Sequence, residues 1–236
     1  MFAYEEVVAA LESETAVLAG VLEGLSEEGA VSPTRCEPWD VAALAAHAVG
    51  AVLRVDGMLD AQAPGRGVEL VSAAGYYAPD VRFSSEVNGE RVRSAVEAAA
   101  RRADAGEPGR VLREGWAALS ARLAAEDGGR RVFTRHGDPM FLRDFLVTRV
   151  VEVVLHGWDL ADALGREPWT TRSGLDLVTR LVFGAADRAA LERVFPGVWS
   201  GGAAAEAAVR AVTGRSEGGV ERDALSAAGV RFLALG

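Results

Sequence analysis

The segment Arg149-Val150-Val151-Glu152-Val153-Val154-Leu155-His156-Gly157-Trp158-Asp159-Leu160 constrains this chain more than any other stretch, because it reads as an apolar helix carrying one polar stripe. At about 100° per residue, Arg149, Glu152, His156 and Asp159 fall on one arc, while Val147, Val150, Val151, Val153, Val154, Leu155 and Trp158 cover the rest. A helix apolar on every other face belongs in the interior. There, carboxylates and imidazoles are costly unless they are paired, hydrogen-bonded or bound to a metal, so this stripe calls for a shared partner. We read that partner as a metal ion.

Glu152 and His156, four residues apart on one face, could hold a cation from a single helix, and an open catalytic site needs a third ligand from a facing helix. Upstream, Pro38 and Asp40 mark a helix start, and Val41, Leu44, Ala45, Ala48, Val52, Val55 and Leu59 recur at helical spacing. His47 stands at the margin of that stripe. On spacing alone, a lone histidine there is more often a core histidine hydrogen-bonded to a neighbour than a ligand. As a ligand it would complete a set of two nitrogens and one carboxylate oxygen, which suits zinc, with nickel or iron as alternatives. Asp159, three residues past His156, is placed to take the free ring N–H of that histidine, and Arg149 to orient Glu152 or meet an anionic substrate. For both, a buried ion pair holding the helices together is the competing reading.

Thr34-Arg35-Cys36, Trp39, Leu44 and His47, then Arg149, Glu152 and His156-Gly157-Trp158-Asp159-Leu160-Ala161, then Thr213-Gly214-Arg215, occur in an order and at distances that resemble the mycothiol-dependent maleylpyruvate isomerase family of the DinB-like superfamily. The resemblance runs over most of the chain. It implies a divalent metal held by His47, Glu152 and His156. It also implies a low-molecular-weight thiol such as mycothiol as cosubstrate, its sulfur held by the metal as thiolate, and Arg215 as a catalytic, substrate-facing arginine. Read without the resemblance, Arg215 is a solvated helix-end arginine stabilised by the helix dipole.

The expected fold is mainly α: an up-down four-helix bundle over residues 1–166, with a small C-terminal domain or extension, helical or α/β, over 167–236. Helical patterns cover about residues 3–25, Pro38 to Leu59, Ser85 to Ala124 with an interruption at Asp104–Gly109, and Phe141 to Leu164. Two more follow near 172–193 and 203–213, and the apolar run 229–235 could be a strand. Gly137 and Pro139 make His136-Gly137-Asp138-Pro139 a turn, and His136 a surface histidine.

A formal charge of −9 with no lysine argues against a nucleic-acid partner and excludes Schiff-base catalysis. No Gly-x-Ser-x-Gly elbow, phosphate-binding loop or dinucleotide fingerprint occurs, and the helix motif is not His-Glu-x-x-His. The single cysteine, Cys36, excludes an internal disulfide and reads as a small buried hydrophobe, since no histidine or lysine adjoins it in sequence, with a reactive thiol as the alternative. Acidic Glu5 and Glu6 stand where a signal peptide needs basic residues, and no apolar run reaches the ~18 residues of a membrane span. The expectation is a cytoplasmic monomer acting on a small thiol and a small electrophile. It would be a cis–trans isomerase of an activated alkene such as maleylpyruvate, or a thiol S-transferase. A non-catalytic metal or thiol sensor on the same scaffold is the alternative.

Overall fold

The structure, a computed structural model, describes residues 2–77, 85–216, 220–230 and 232–233. In α1 (Tyr4–Glu23), Val7, Leu11, Leu18 and Leu22 form one buried face at four- and seven-residue spacing. A short α2 (Glu27–Ala30) leads to α3 (Val41–Asp60), whose start is fixed by Asp40: its Oδ1 accepts from the Ala43 N–H at 2.8 Å, satisfying an amide that a helix start leaves open. The interruption at Asp104–Gly109 separates two helices, α4 (Ser85–Ala100) and α5 (Glu107–Leu123), with Pro108 in the first turn of the second. An antiparallel hairpin, β1 (Arg131–Phe133) and β2 (Pro139–Phe141), pairs Val132 with Met140 and feeds α6 (Leu142–Ala163).

α1 packs on α5 and α6, and α3 packs on α4, α5 and α6, so α1, α3, α5 and α6 make a four-helix core. From Leu142 to Ala161, α6 is buried except at Arg143, Asp144 and Glu152, as its all-round apolar pattern requires. Gly109 lets α5 lie directly on the α1 backbone: a Cβ there would stand 2.4 Å from Glu23 N and 2.6 Å from Ala19 O. By length and composition α3 could cross a bilayer, a reading that Arg54 and Asp56 obscured in the sequence. Most of it is instead buried among the other helices.

The C-terminal segment is helical. The pattern expected at 172–193 is two helices, α7 (Arg172–Phe183) and α8 (Arg188–Val194), because Asp187 caps a new start by accepting from Ala190 N–H at 2.7 Å. α9 (Gly202–Val212) and α10 (Arg222–Ala227) follow. α7 packs on α1, α6 and α9, and Leu175, Val178, Phe183 and Val209 belong to the same buried cluster as Leu11 and Trp158. Of the run 229–235, Gly229, Val230, Phe232 and Leu233 lie in no strand, while Arg231, Ala234 and Leu235 lie outside the described residues.

Glu14 joins the two parts. Its Oε1 accepts from Thr171 N–H at 2.8 Å and Thr171 Oγ1 at 2.6 Å, at the start of α7. Burial pushes its pKa up to about 7, against the opposing pull of both hydrogen bonds. Gly174 leaves room for this carboxyl, since a Cβ there would meet Glu14 Oε1 at 2.1 Å.

Candidate metal centre

α6 and α3 bring their polar residues face to face. Glu152 Oε2 lies 3.3 Å from His156 Nε2 and 3.5 Å from His47 Nε2, and the donor atoms of the three residues are all within 4.8 Å of one another. Those separations are long for an N–H···O hydrogen bond, whose usual length is about 2.9–3.0 Å. They match the spacing of about 3.4 Å between ligands held roughly 2.1 Å from one tetrahedral ion. The donor set therefore fits a divalent metal. Trp39 stacks on His47 with ring centroids 4.7 Å apart, which fixes the imidazole plane.

Behind the histidine pair sits Asp159, which is fully buried. Its Oδ2 lies 3.1 Å from His156 Nδ1, so that nitrogen carries a proton and Nε2 is the nitrogen turned toward Glu152. Arg215 holds the same carboxylate from two sides, Nε to Oδ1 at 2.9 Å and Nη2 to Oδ2 at 2.8 Å. Cys36 Sγ donates to Oδ2 at 3.3 Å, and Arg35 Nε stands 3.7 Å from Oδ1. The three sequence motifs thus meet at one carboxylate. Thr34 shapes the first of them, donating from Oγ1 to Trp39 O at 2.8 Å while accepting from Cys36 N–H at 3.1 Å. Gly214 shapes the last: at φ +72° it reverses the chain after α9, a conformation glycine adopts without strain, and Arg215 returns to Asp159.

Burial opposes charge throughout the centre. It lowers His47 to about 4, so this imidazole is neutral near neutral pH. At His156 burial is outweighed by hydrogen bonds with Asp159, Cys36 and Glu152, which raise its pKa well above the ordinary value. Glu152 is held well below the ordinary carboxylate range, because His156, His47 and Arg149 together overcome its burial. Two carboxylates flank one imidazole, an environment that favours positive charge there, a proton's or a metal's.

Arg149 is buried where the stripe put it. Its Nη2 donates to Tyr76 Oη at 3.1 Å and stands 3.9 Å from Glu152 Oε1, and its guanidinium lies 4.5 Å from the Phe145 ring centroid. Arg215, expected to face substrate, is only 5% exposed, is neither solvated nor part of the cavity lining, and is paired with Asp159. Cys36 corrects its sequence reading: it is half-buried, lines the cavity and contacts Asp159, because the fold supplies the neighbours that adjacent sequence lacks. Cys36, His156 and Asp159 also form a cluster of potential donors, but Asp159 is already engaged by Arg215. His136 does lie in a turn, and it is one of the residues lining the cavity.

The cavity has a volume of about 450 Å³ and opens onto His47, Glu152 and His156. Arg35, Arg54, Arg91, Arg135 and Arg149 line it, against the carboxylates of Glu37 and Glu152. That balance favours an anionic visitor. Arg54 escaped the sequence reading, although it stands seven residues past His47 and so on the same helix face.

Residues 11–161 match the family described as the mycothiol maleylpyruvate isomerase N-terminal domain. The crystal structure of the mycothiol-dependent maleylpyruvate isomerase superposes with a TM-score of 0.56 at 15% identity, over 93% of this chain and 95% of that one. A histidine-to-alanine mutant of a mycothiol-dependent maleylpyruvate isomerase gives a TM-score of 0.48 at 16% identity, over 77% of this chain and 72% of that one. At such identity the first likeness establishes a shared helical fold. No curated protein matches the chain.

Proposed function

The chain belongs to the mycothiol maleylpyruvate isomerase N-terminal domain family, and from that premise we propose that it is a metal- and thiol-dependent enzyme acting on a small electrophile. The observation that carries this reading is the spacing of His47, Glu152 and His156 donor atoms at the edge of an arginine-lined cavity. A divalent ion bound by those three residues, zinc by the chemistry of the donors, would supply Lewis acidity that lowers the pKa of a bound thiol. Mycothiol, or a thiol like it, is the cosubstrate the family suggests.

The chain's own groups then have distinct tasks. Asp159 keeps the His156 proton on Nδ1 and the ring in one orientation. Arg149 neutralises and orients Glu152 from its 3.9 Å position, and Trp39 holds His47. Arg215, clamped on Asp159, acts on the centre through that carboxylate rather than on substrate directly. The cavity arginines draw in the electrophile. A thiolate that adds to an activated double bond, waits while the new single bond rotates and then leaves has isomerised that bond. Addition or displacement without departure is S-transfer. We assign isomerisation as the leading activity and S-transfer as its variant, in a cytoplasmic protein whose partners are small molecules and not nucleic acid.

The test supplies the purified, zinc-loaded protein with mycothiol and maleylpyruvate and follows formation of the trans isomer, with alkylating electrophiles as the S-transfer arm. Acceleration that requires both metal and thiol supports the reading. A protein that binds thiol and metal yet accelerates none of these reactions is a sensor instead.

A further inference from the structure

We infer that Arg54 selects the electrophile, by taking a carboxylate of that molecule in the cavity beside His47 and Glu152. That an electrophile enters rests on the reading of the site as a thiol-dependent enzyme. The carboxylate site itself rests on geometry. Arg54 lies two helical turns from His47, about 10 Å along α3, and lines the same cavity. Its Nε donates to Gly50 O at 2.8 Å, which lays the side chain along the helix. Among the described residues, that is its one hydrogen bond, and no carboxylate comes within ion-pair distance. Arg149 and Arg215, by contrast, are held by Tyr76 and Asp159.

A half-buried guanidinium without a carboxylate in direct contact is costly, and the positive charges of Arg149 and Arg135 act on this one more strongly than the attraction of the more distant Glu152. Burial first, and those two arginines next, bring its pKa down to about 10, the behaviour of a cation short of an anion. The missing anion is a ligand's. The planar fork of a guanidinium offers two parallel N–H donors to the two oxygens of a carboxylate, a fit that a neutral carbonyl cannot repeat. Placed here, it would hold one end of an electrophile while the other end faces Glu152 and the histidines.

Succinate is a suitable probe, since it carries carboxylates but no double bond for a thiol to attack. The zinc-loaded protein, titrated calorimetrically without thiol, is expected to bind succinate in a salt-dependent way and to ignore succinamide. Arg54→Gln should weaken succinate binding by roughly tenfold or more, with zinc content and melting temperature unchanged. Arg54→Lys, which keeps the charge but not the fork, should weaken it several-fold, and it carries the test if Arg54→Gln fails to fold. Unchanged succinate affinity in either variant, equal binding of succinamide, no succinate binding by the parent, or a preference for inorganic phosphate would each overturn the assignment. A protein that binds succinate through Arg54 but catalyses no thiol reaction would refute the enzymatic reading alone.

Discussion

Arg215 grips Asp159 through two hydrogen bonds of 2.9 and 2.8 Å, and Asp159 in turn meets His156 Nδ1 at 3.1 Å, so an arginine outside the cavity is linked to the His156 imidazole through one carboxylate. Asp159→Asn should therefore weaken zinc affinity by roughly 10–100-fold, the usual effect of removing a group that orients a metal-binding histidine. Competition with a chelator of known affinity measures it. Arg215→Ala removes the main partner of a fully buried carboxylate and should cost about 3–5 kcal/mol in urea unfolding. A stability within experimental error of the parent would show that the pair is dispensable.

The donor set predicts about one divalent ion per chain. His47→Ala and His156→Ala should each lose it, and chelation of the parent should lower the melting temperature, because an ion bound to the folded chain alone stabilises it. Elemental analysis beside thermal unfolding reads both. Full occupancy in both variants would remove the centre from these residues.

Cys36 touches Asp159 at the cavity wall, but the reacting thiol in this mechanism comes from solution. Cys36→Ser keeps a donor for Asp159 and should retain metal and most thiol-dependent turnover, within a few-fold. If turnover vanished from a folded, metal-loaded Cys36→Ser protein, the nucleophile would be the chain's own sulfur.

Glu14 gives the fold a pH dependence of its own. Its folded pKa of about 7 lies above the ordinary 4.5, so the native state binds this proton more tightly than the unfolded chain does. The stabilisation is complete below about pH 4.5 and is lost as pH rises through 7, to a total on the order of 3 kcal/mol. Glu14→Gln, which keeps the acceptor for Thr171, should be more stable than the parent above pH 7 and equal to it at low pH. The difference between their unfolding free energies from pH 4 to 8 isolates this group, and a flat difference would contradict the assignment.

Much of the centre was legible because Arg149, Glu152, His156 and Asp159 share one helix, whose period is a property of local sequence. His47 was ambiguous for the opposite reason. Its neighbours, Glu152 and the Trp39 ring, belong to tertiary packing and to a turn before the helix, and helical spacing encodes neither. Arg215 was identified as a residue of interest, but its burial depends on the chain reversal at Gly214 and on a carboxylate 56 residues upstream. Arg54 was missed because a search for apolar stripes passes over a cation on a core helix. The break at Gly184–Asp187 was missed because the apolar pattern continues through Leu191, while Asp187 starts a new helix by capping.

The convergence on Asp159 also ties the centre to contacts of long sequence separation. Cys36 reaches it across 123 residues, Arg215 across 56, and Arg35 meets Gly214 across 179. Contacts between such remote segments close long loops, which costs more chain entropy than the local contacts of a helix. Without the segment beyond α9 in place, Asp159 would meet His156 but lack the two hydrogen bonds from Arg215. Docking of that segment gives Asp159 its two bonds from Arg215, so the surroundings of His156 are complete only in the finished tertiary structure.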